Sequence, residues 1–348
     1  MPFFTDEELD RISIEKMIFH VVGPLQGNAP LILEEISPPQ HTAFFLDRIL
    51  SIASGSRFRF QQHSDFREEL VKVNDGATDF AGMSRILAGR FQDEHKGTTK
   101  DGVFLVFRLR FGRDHAYAVV KYDHDPVVSY EIDGRSGRNI PNLTELTHTF
   151  VKKPEAMQKS ALIRLGRDGD QVAVRDRSAR DGITDYFRAF LGVRREYERD
   201  ELTKRLHDAV VNTYRAHESD IPPQIAGTFR QRLFDRLSAG GTFGEDDAAA
   251  LLTDAFGNAG TSEAIRQTFA RQLKALKIDG ESFAFSAARL KPPNMRRMIT
   301  EEGIRIILPE ELKDRVKEET QGAETVIMIR TAGVVRNEHV TEADLKRG

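Results

Sequence analysis

The chemistry most clearly offered by this sequence is phosphate binding by a group of basic residues near its C-terminal end. Residues 264–297 contain eight lysines and arginines against two acidic residues, whereas residues 206–263 contain four basic and nine acidic residues. The whole chain has a net charge of −3, so the positive charge is local. Such cations neutralise the phosphates of a nucleic-acid backbone. The candidate nucleic-acid-binding residues are Arg266, Arg271, Lys274, Lys277, Arg289, Lys291, Arg296 and Arg297.

Residues 262–277 must form an amphipathic helix if these cations are to share a surface. At 100° per residue, the apolar side chains fall within an arc of about 80°: Ile265, Phe269, Leu273 and Leu276. Beside that arc lie three cations, Arg266, Lys274 and Lys277, and Arg271 lies further round the helix. One side of the helix can then pack while another contacts phosphates. The alternative is an ordinary solvated helix face that offsets the preceding acidic segment.

Residues 289–297 form a second basic segment, which Pro292 and Pro293 stiffen and keep out of regular structure. It can follow a nucleic-acid backbone, or it can be a basic linker. A third group of arginines surrounds a predicted hairpin: Arg164, Arg167, Arg175, Arg177 and Arg180. Aspartates interleave with this third group: Asp168, Asp170, Asp176 and Asp181. We therefore predict local ion pairs there rather than phosphate contacts.

Catalytic chemistry finds little support in the sequence. There is no cysteine, which excludes disulfides, thiol nucleophiles and cysteine-bearing metal sites. No two of the ten histidines are three or four residues apart, the spacing of a helical metal site. The Glu311-x-Lys313 pair resembles a nuclease motif but follows Pro309 in a helix-forming run, and residues 95–100 lack the spacing of a phosphate-binding loop. We predict a non-enzymatic protein without cofactor or metal, and a carboxylate-only magnesium site remains open.

Several other polar and aromatic residues are better explained by structure than by function. Asp114-His115 and residues 123–125 lie in predicted hairpin turns, where aspartate is favoured. His20 lies on an apolar strand and is predicted to be a hydrogen-bonded core residue. Four aromatic residues that could stack on bases have the periodicity of core faces: Phe58, Phe60, Tyr186 and Phe187.

The elements predicted for the first half of the chain are mixed. Strands are predicted over residues 12–22 and 31–36, and helices over 40–53, 65–73 and 79–91. A three-stranded meander is predicted from residues 103–111, 115–122 and 127–132, and a hairpin from 161–165 and 171–175. Thr5 and Glu8 form a predicted capping box for a short N-terminal helix.

The second half is predicted to be mainly helical. Helices are expected over 183–191, 198–215, 225–237 and 246–256, with Gly192 ending the first. Pro222-Pro223 opens the third, and Thr242 with Glu245 forms a capping box before the fourth. A small terminal β-α-β unit is expected from a strand over 304–308, a helix from Pro309 to about Glu319, and a strand over 325–330. The predicted fold class is α+β, with domains at residues 1–178 and 179–348.

Five segments in this order resemble a known family. They are residues 14–20, 87–94, 102–107, 117–120 and 185–192. Together they are similar to the first strand, central helix, hairpin and aromatic helix of the bacterial 37-kilodalton nucleoid-associated proteins. The resemblance implies a bacterial protein of the nucleoid that binds double-stranded DNA and has no known catalytic activity. It supplies no list of functional residues.

The sequence also departs from that family pattern. An N-terminal extension covers residues 1–11, a Gly-rich insertion lies around residues 134–137, and a basic hairpin lies near residues 164–177. These departures are also consistent with a divergent member of the family that acts with a partner enzyme in a mobile or defence-associated gene set.

We therefore predict a cytoplasmic, nucleoid-associated protein that binds double-stranded DNA without sequence specificity. No segment is apolar enough to cross a membrane, and the acidic N-terminus is unlike a secretory signal. RNA, a DNA-processing enzyme and a second copy of the chain are further candidate partners. The alternative function is an adaptor subunit of a phage-defence or DNA-processing complex, and a magnesium-dependent nuclease is a third hypothesis.

Overall fold

The computed structural model describes residues 3–94, 100–123, 127–133, 140–146, 156–166, 169–322 and 324–334. The strands are β1 Ser13–Val22, β2 Ser56–Phe60, β3 Gly102–Phe111, β4 Asp114–Asp123, β5 Val127–Asp133, β6 Ile140–Leu146, β7 Met157–Arg164, β8 Gln171–Asp176, β9 Val193–Arg195, β10 Thr242–Phe243, β11 Phe283–Ala284, β12 Met295–Ile299, β13 Arg305–Pro309, β14 Val316–Gln321 and β15 Glu324–Ile329. The helices are α1 Asp6–Leu9, α2 Thr42–Ile52, α3 Asp65–Asn74, α4 Phe80–Asp93, α5 Asp185–Leu191, α6 Arg199–Ala216, α7 Pro223–Ala226, α8 Phe229–Ser238, α9 Ala248–Phe256 and α10 Glu263–Ala275. Two compact units contain them, Met1–Leu290 and Lys291–Gly348, and each is described by itself.

A seven-stranded antiparallel sheet forms the centre of the first unit, in the order β1-β3-β4-β7-β8-β2-β9. Alternate side chains of β3 point to opposite faces, so Phe104 and Val106 enter one core cluster and Leu105 and Phe107 enter another. The near-continuous apolar sequence of β3 follows from this, because helices cover both faces of the strand.

Helices cover the two faces with different side chains. On one face α3, α4 and α5 contribute buried aromatic residues, including Phe66, Phe91 and Phe187. On the other face, α2 packs through Phe45 and Ile49. A third apolar cluster joins α6, α8, α9 and α10 to the short β10–β11 pair. The first unit is therefore a covered sheet plus a helical cluster.

A buried carboxylate connects the sheet to the segment that precedes β11. Glu281 is 1% exposed, and its Oε1 accepts a hydrogen bond from the backbone N–H of Arg57 at 2.7 Å. Its Oε2 accepts from the guanidinium of Arg195 at 3.2 Å. The backbone N–H of Ser282 also donates to the hydroxyl of Ser56 at 2.9 Å. These bonds fix the helical cluster against the β2 side of the sheet.

Two antiparallel hairpins make up the second unit as described, β12–β13 and β14–β15. A 3-10 segment, Glu310–Arg315, lies between them. The predicted terminal β-α-β unit is therefore wrong. Pro309 does begin a turn, but residues from Val316 onward form β14 because they find a partner strand in β15.

Two strand predictions in the first half also need correction. Residues 31–36 form only isolated bridges to β1, at Leu31 and Ile36. The N–H of Leu33 donates to Nδ1 of His20 at 3.2 Å instead of joining a ladder. The predicted meander stops after two strands, since β7 takes the free edge of β4 and β5 pairs with β6.

Two helix predictions in the second half differ from the structure. Thr242 lies in β10 opposite Ala284, and α9 begins after Asp247, so the predicted capping box is wrong. Thr242 pairs with Ala284 in the β10–β11 ladder and therefore does not cap a helix. The helix that opens at Pro222-Pro223 ends after four residues, and α8 begins only at Phe229.

The α+β class is confirmed, as are the β7–β8 hairpin and the capping box of Thr5 with Glu8. Gly192 ends α5 with φ of 63°, the left-handed conformation that glycine adopts without a side-chain clash. The division into domains at residue 178 stays a prediction. No helix within the described ranges is long and apolar enough to span a membrane.

Candidate nucleic-acid interface

Helix α10 carries the densest part of the predicted basic surface. Its buried side holds Ile265, Thr268 and Phe269, which are 1% to 6% exposed. The partly buried Leu273 and Leu276 complete the apolar stripe against the helical cluster. Three cations at and just beyond the helix are exposed: Arg266, Lys274 and Lys277. The amphipathic helix predicted for residues 262–277 is thus present, with its apolar stripe packed.

Two of the eight candidate cations already have partners in the first unit. The guanidinium of Arg271 donates to the hydroxyl of Thr268 at 2.9 Å. Arg289 forms an ion pair with Asp200, with Nε and Oδ2 2.6 Å apart. By contrast, the described residues give no ion pair to Arg266, Lys274 or Lys277. Among the five candidates in the first unit, these three side chains can gain most from a phosphate partner.

Lys277 occupies an unusual backbone position at the end of α10. Its φ is 57°, the left-handed region that glycine favours at this position of a helix end. The N–H of Lys277 donates to the carbonyl of Lys274, and the N–H of Ile278 donates to that of Leu273, both at 3.0 Å. This pair of bonds is the Schellman motif, and buried Ile278 anchors it. The motif holds the Lys277 backbone in place beside the helix end.

The remaining three candidates lie in the second unit. Arg296 forms an ion pair with Glu318, with Nη2 and Oε1 2.9 Å apart. Lys291 and Arg297 are exposed, and Arg297 lies opposite Ile307 in the β12–β13 hairpin. The segment that is continuous in sequence therefore divides between two compact units.

Arg164 contradicts the local pairing predicted for the arginines of the β7–β8 hairpin, and for the other arginines that pairing stays a prediction. Arg164 pairs with Glu8 of α1, with Nη2 and Oε1 2.7 Å apart. Asp176 pairs across the hairpin with Lys159 of β7, whereas Asp170 pairs with Arg67 of α3 and Asp181 pairs with Arg195 and Arg199. Neighbours within a strand, such as Arg175 and Asp176 of β8, point to opposite faces of the sheet. Arg167 and Asp168 lie outside the described residues.

His20 is a core residue with both ring nitrogens bonded, as predicted. Nδ1 accepts from the N–H of Leu33, so Nε2 carries the proton and donates to the hydroxyl of Ser84 at 3.1 Å. Burial, with the nearby charge of Arg85, lowers the pKa of His20 to about 4. The ring is therefore neutral near pH 7.

The other candidate catalytic groups are held by neighbouring side chains. His115 lies 3.4 Å from Glu15, and burial and the charge of Arg108 lower its pKa. Lys121 contacts Asp123 at 2.6 Å, and Asp114 lies 3.7 Å from an arginine. Within the ranges that the structure covers, no group of three or more metal-ligating side chains is placed to hold an ion. His95 to Thr99, His124 and Asp125 lie outside the described residues.

Comparison with protein families matches residues 20–330 to a family described as nucleoid-associated protein YejK. The chain belongs to this family. A search of curated proteins gave no significant match. Membership places the chain among the nucleoid-associated proteins of bacteria, and α4, the β3–β4 pair and α5 all lie within the matched region. The resemblance seen in the sequence is thereby confirmed.

Proposed function

We propose that the chain binds double-stranded DNA without sequence specificity through the exposed cations of its C-terminal half. The observation that carries this proposal is the set of three exposed cations on and just after α10, which have no acidic partner among the described residues: Arg266, Lys274 and Lys277. Lys291 and Arg297 add exposed positive charge in the second unit.

The chemistry of these side chains favours the phosphate backbone over the bases. Lysine and arginine contacts to phosphate position a protein on DNA but read no sequence. Placing a lysine at the left-handed position of Lys277 costs about 1 kcal/mol relative to glycine. The Schellman motif accounts for this backbone conformation and holds the exposed Lys277 at the end of α10. In this role the protein is a non-catalytic component of the nucleoid in the cytoplasm.

The decisive experiment replaces Arg266, Lys274 and Lys277 together by glutamine and measures affinity for two unrelated duplexes across a salt series. Each phosphate contact contributes about −0.9 to the slope of log affinity against log salt. We expect the slope to flatten by about 2 to 3 and both duplexes to lose affinity equally. A single-stranded RNA probe in the same series measures the preference for duplex DNA.

The matched control removes three exposed cations that already have carboxylate partners elsewhere: Arg11, Arg59 and Arg188. It changes the net charge by the same amount, so an effect of overall charge would appear in both variants. If the α10 variant keeps its affinity and slope, the proposed surface is wrong. The adaptor function in a DNA-processing or defence complex then becomes the better explanation.

A further inference from the structure

The first unit contains a polar cavity of about 500 Å³ that the DNA-binding proposal does not use. One wall comes from the end of β8 and the turn after it, and a second wall comes from β10 and the residues that lead into α9. Gly280 also lines the cavity, and its backbone lies against the carbonyl of Ser54. The volume suits a small molecule of the size of a nucleotide.

One wall of the cavity is rich in guanidinium groups. Arg175, Arg177 and Arg180 all line it. The carboxylate next to Arg180 in sequence is occupied, because Asp181 pairs with Arg195 and Arg199. Arg180 is exposed, and the described part of the chain offers it no ion pair. Arg180 therefore offers a guanidinium group to a ligand in the cavity.

The second wall is acidic and carries free hydroxyl groups. Asp247 occupies the N-cap position of α9, but its carboxylate accepts no hydrogen bond from the helix. Asp246 lies beside it and is exposed. The side-chain hydroxyls of Thr242 and Ser282 also line the cavity, and neither bonds to another side chain or backbone group in the described ranges. These groups can accept hydrogen bonds from a ligand.

A ligand that satisfies both walls must combine an anion with hydroxyl or amino donors. The planar fork of arginine binds phosphate oxygens in pairs. Carboxylates accept hydrogen bonds from ribose hydroxyls, as in dinucleotide-binding folds. Free phosphate alone would be repelled by the aspartates, and a neutral sugar would leave the guanidinium without a partner.

We propose that this cavity binds a nucleoside phosphate, with its phosphate towards Arg180 and its ribose or base donors towards Asp247. Two sources share this chemistry: a free nucleotide, and the phosphorylated end of a nucleic-acid strand. The same contacts apply to both, because the cavity holds a single nucleotide unit.

Titration calorimetry of the full-length chain tests the proposal with three probes: adenosine 5′-monophosphate, adenosine and inorganic phosphate. We expect the monophosphate to bind more tightly than either part. Arg180→Gln should weaken its binding about tenfold, because a charge-assisted hydrogen bond is lost. Asp247→Asn should narrow the difference between the affinity for the nucleotide and the affinity for inorganic phosphate. Arg188→Gln, which removes an exposed arginine paired with Asp185, is the control and should change neither.

A second arm distinguishes the two sources. Competition by a short duplex with 5′-phosphate ends, but not by one with 5′-hydroxyl ends, assigns the cavity to strand ends, and no competition by either assigns it to free nucleotides. The proposal is overturned if the monophosphate does not bind at millimolar concentration, or if it binds equally to the Arg180→Gln variant. The α10 glutamine variant should bind the nucleotide normally, so this proposal can fail independently of the DNA-binding surface.

Discussion

Replacing Lys277 by glycine should stabilise the protein while it weakens DNA binding. The φ of 57° puts the lysine Cβ in the crowded left-handed region, at a cost of about 1 to 2 kcal/mol that glycine avoids. Glycine in turn loses about 0.5 to 1 kcal/mol more backbone entropy on folding. We therefore expect a net gain of about 1 kcal/mol or slightly less. For a unit of this size, the midpoint of thermal unfolding should rise by about 2 °C.

Lys277→Gln provides the matched control because it removes the same charge and keeps the backbone strain. Urea unfolding should place the glutamine variant within about 0.5 kcal/mol of the original chain and the glycine variant above it. Both variants should flatten the salt dependence of DNA affinity by about one phosphate contact. A glycine variant no more stable than the glutamine variant would refute the Schellman geometry. Unchanged salt dependence in both would remove Lys277 from the interface.

Three further predictions test the core of the first unit. Because the pKa of His20 is lowered to about 4 in the folded chain, only the unfolded chain binds a proton at this residue as the pH falls from about 6.5 towards 4. Urea unfolding should therefore show a free energy of unfolding about 2 kcal/mol lower at pH 5 than at pH 7 from this residue. The His20→Gln variant should not show this loss. Asp176→Asn should cost about 3 kcal/mol in thermal unfolding by leaving Lys159 buried without its anion, and adding Lys159→Met should recover part of that loss. Gly280→Ala should lower the free energy of unfolding by about 3 kcal/mol or more, because the new Cβ would lie 1.6 Å from a backbone oxygen. Gly76→Ala is the control: it has a similar positive φ but lies in open space, and it should cost only about 1 kcal/mol.

Periodicity in the sequence determined the elements whose packing is local. The helices around residues 65–74, 80–93 and 263–275 and the β7–β8 hairpin follow from patterns that repeat over a few turns or one short loop. The Thr5 capping box and the end of α5 at Gly192 involve neighbouring residues only, so their chemistry is visible in the sequence. The ordered set of segments was also sufficient to indicate the nucleoid-associated family.

Tertiary structure decided which partners these elements meet. Strand β4 pairs with the distant β7 instead of the adjacent β5, because strand pairing depends on the whole sheet and not on sequence order. Thr242 joins a strand rather than capping a helix, since its partner is supplied by residue 284. Residues 316–321 likewise form a strand and not the end of a helix, because they pair with β15 in a hairpin.

The partners of the charged residues around α10 and the β7–β8 hairpin were also decided by tertiary structure. The sequence located the cations of α10, but only the structure showed that Arg271 and Arg289 have partners, while the described residues give no ion pair to Arg266 or Lys274. Sequence proximity wrongly predicted a local aspartate partner for Arg164, which pairs with Glu8 of α1, and it gave no sign of the cavity lined by Arg180. Ion pairs depend on a few ångströms between side-chain ends, and that distance is fixed by the fold rather than by separation along the chain.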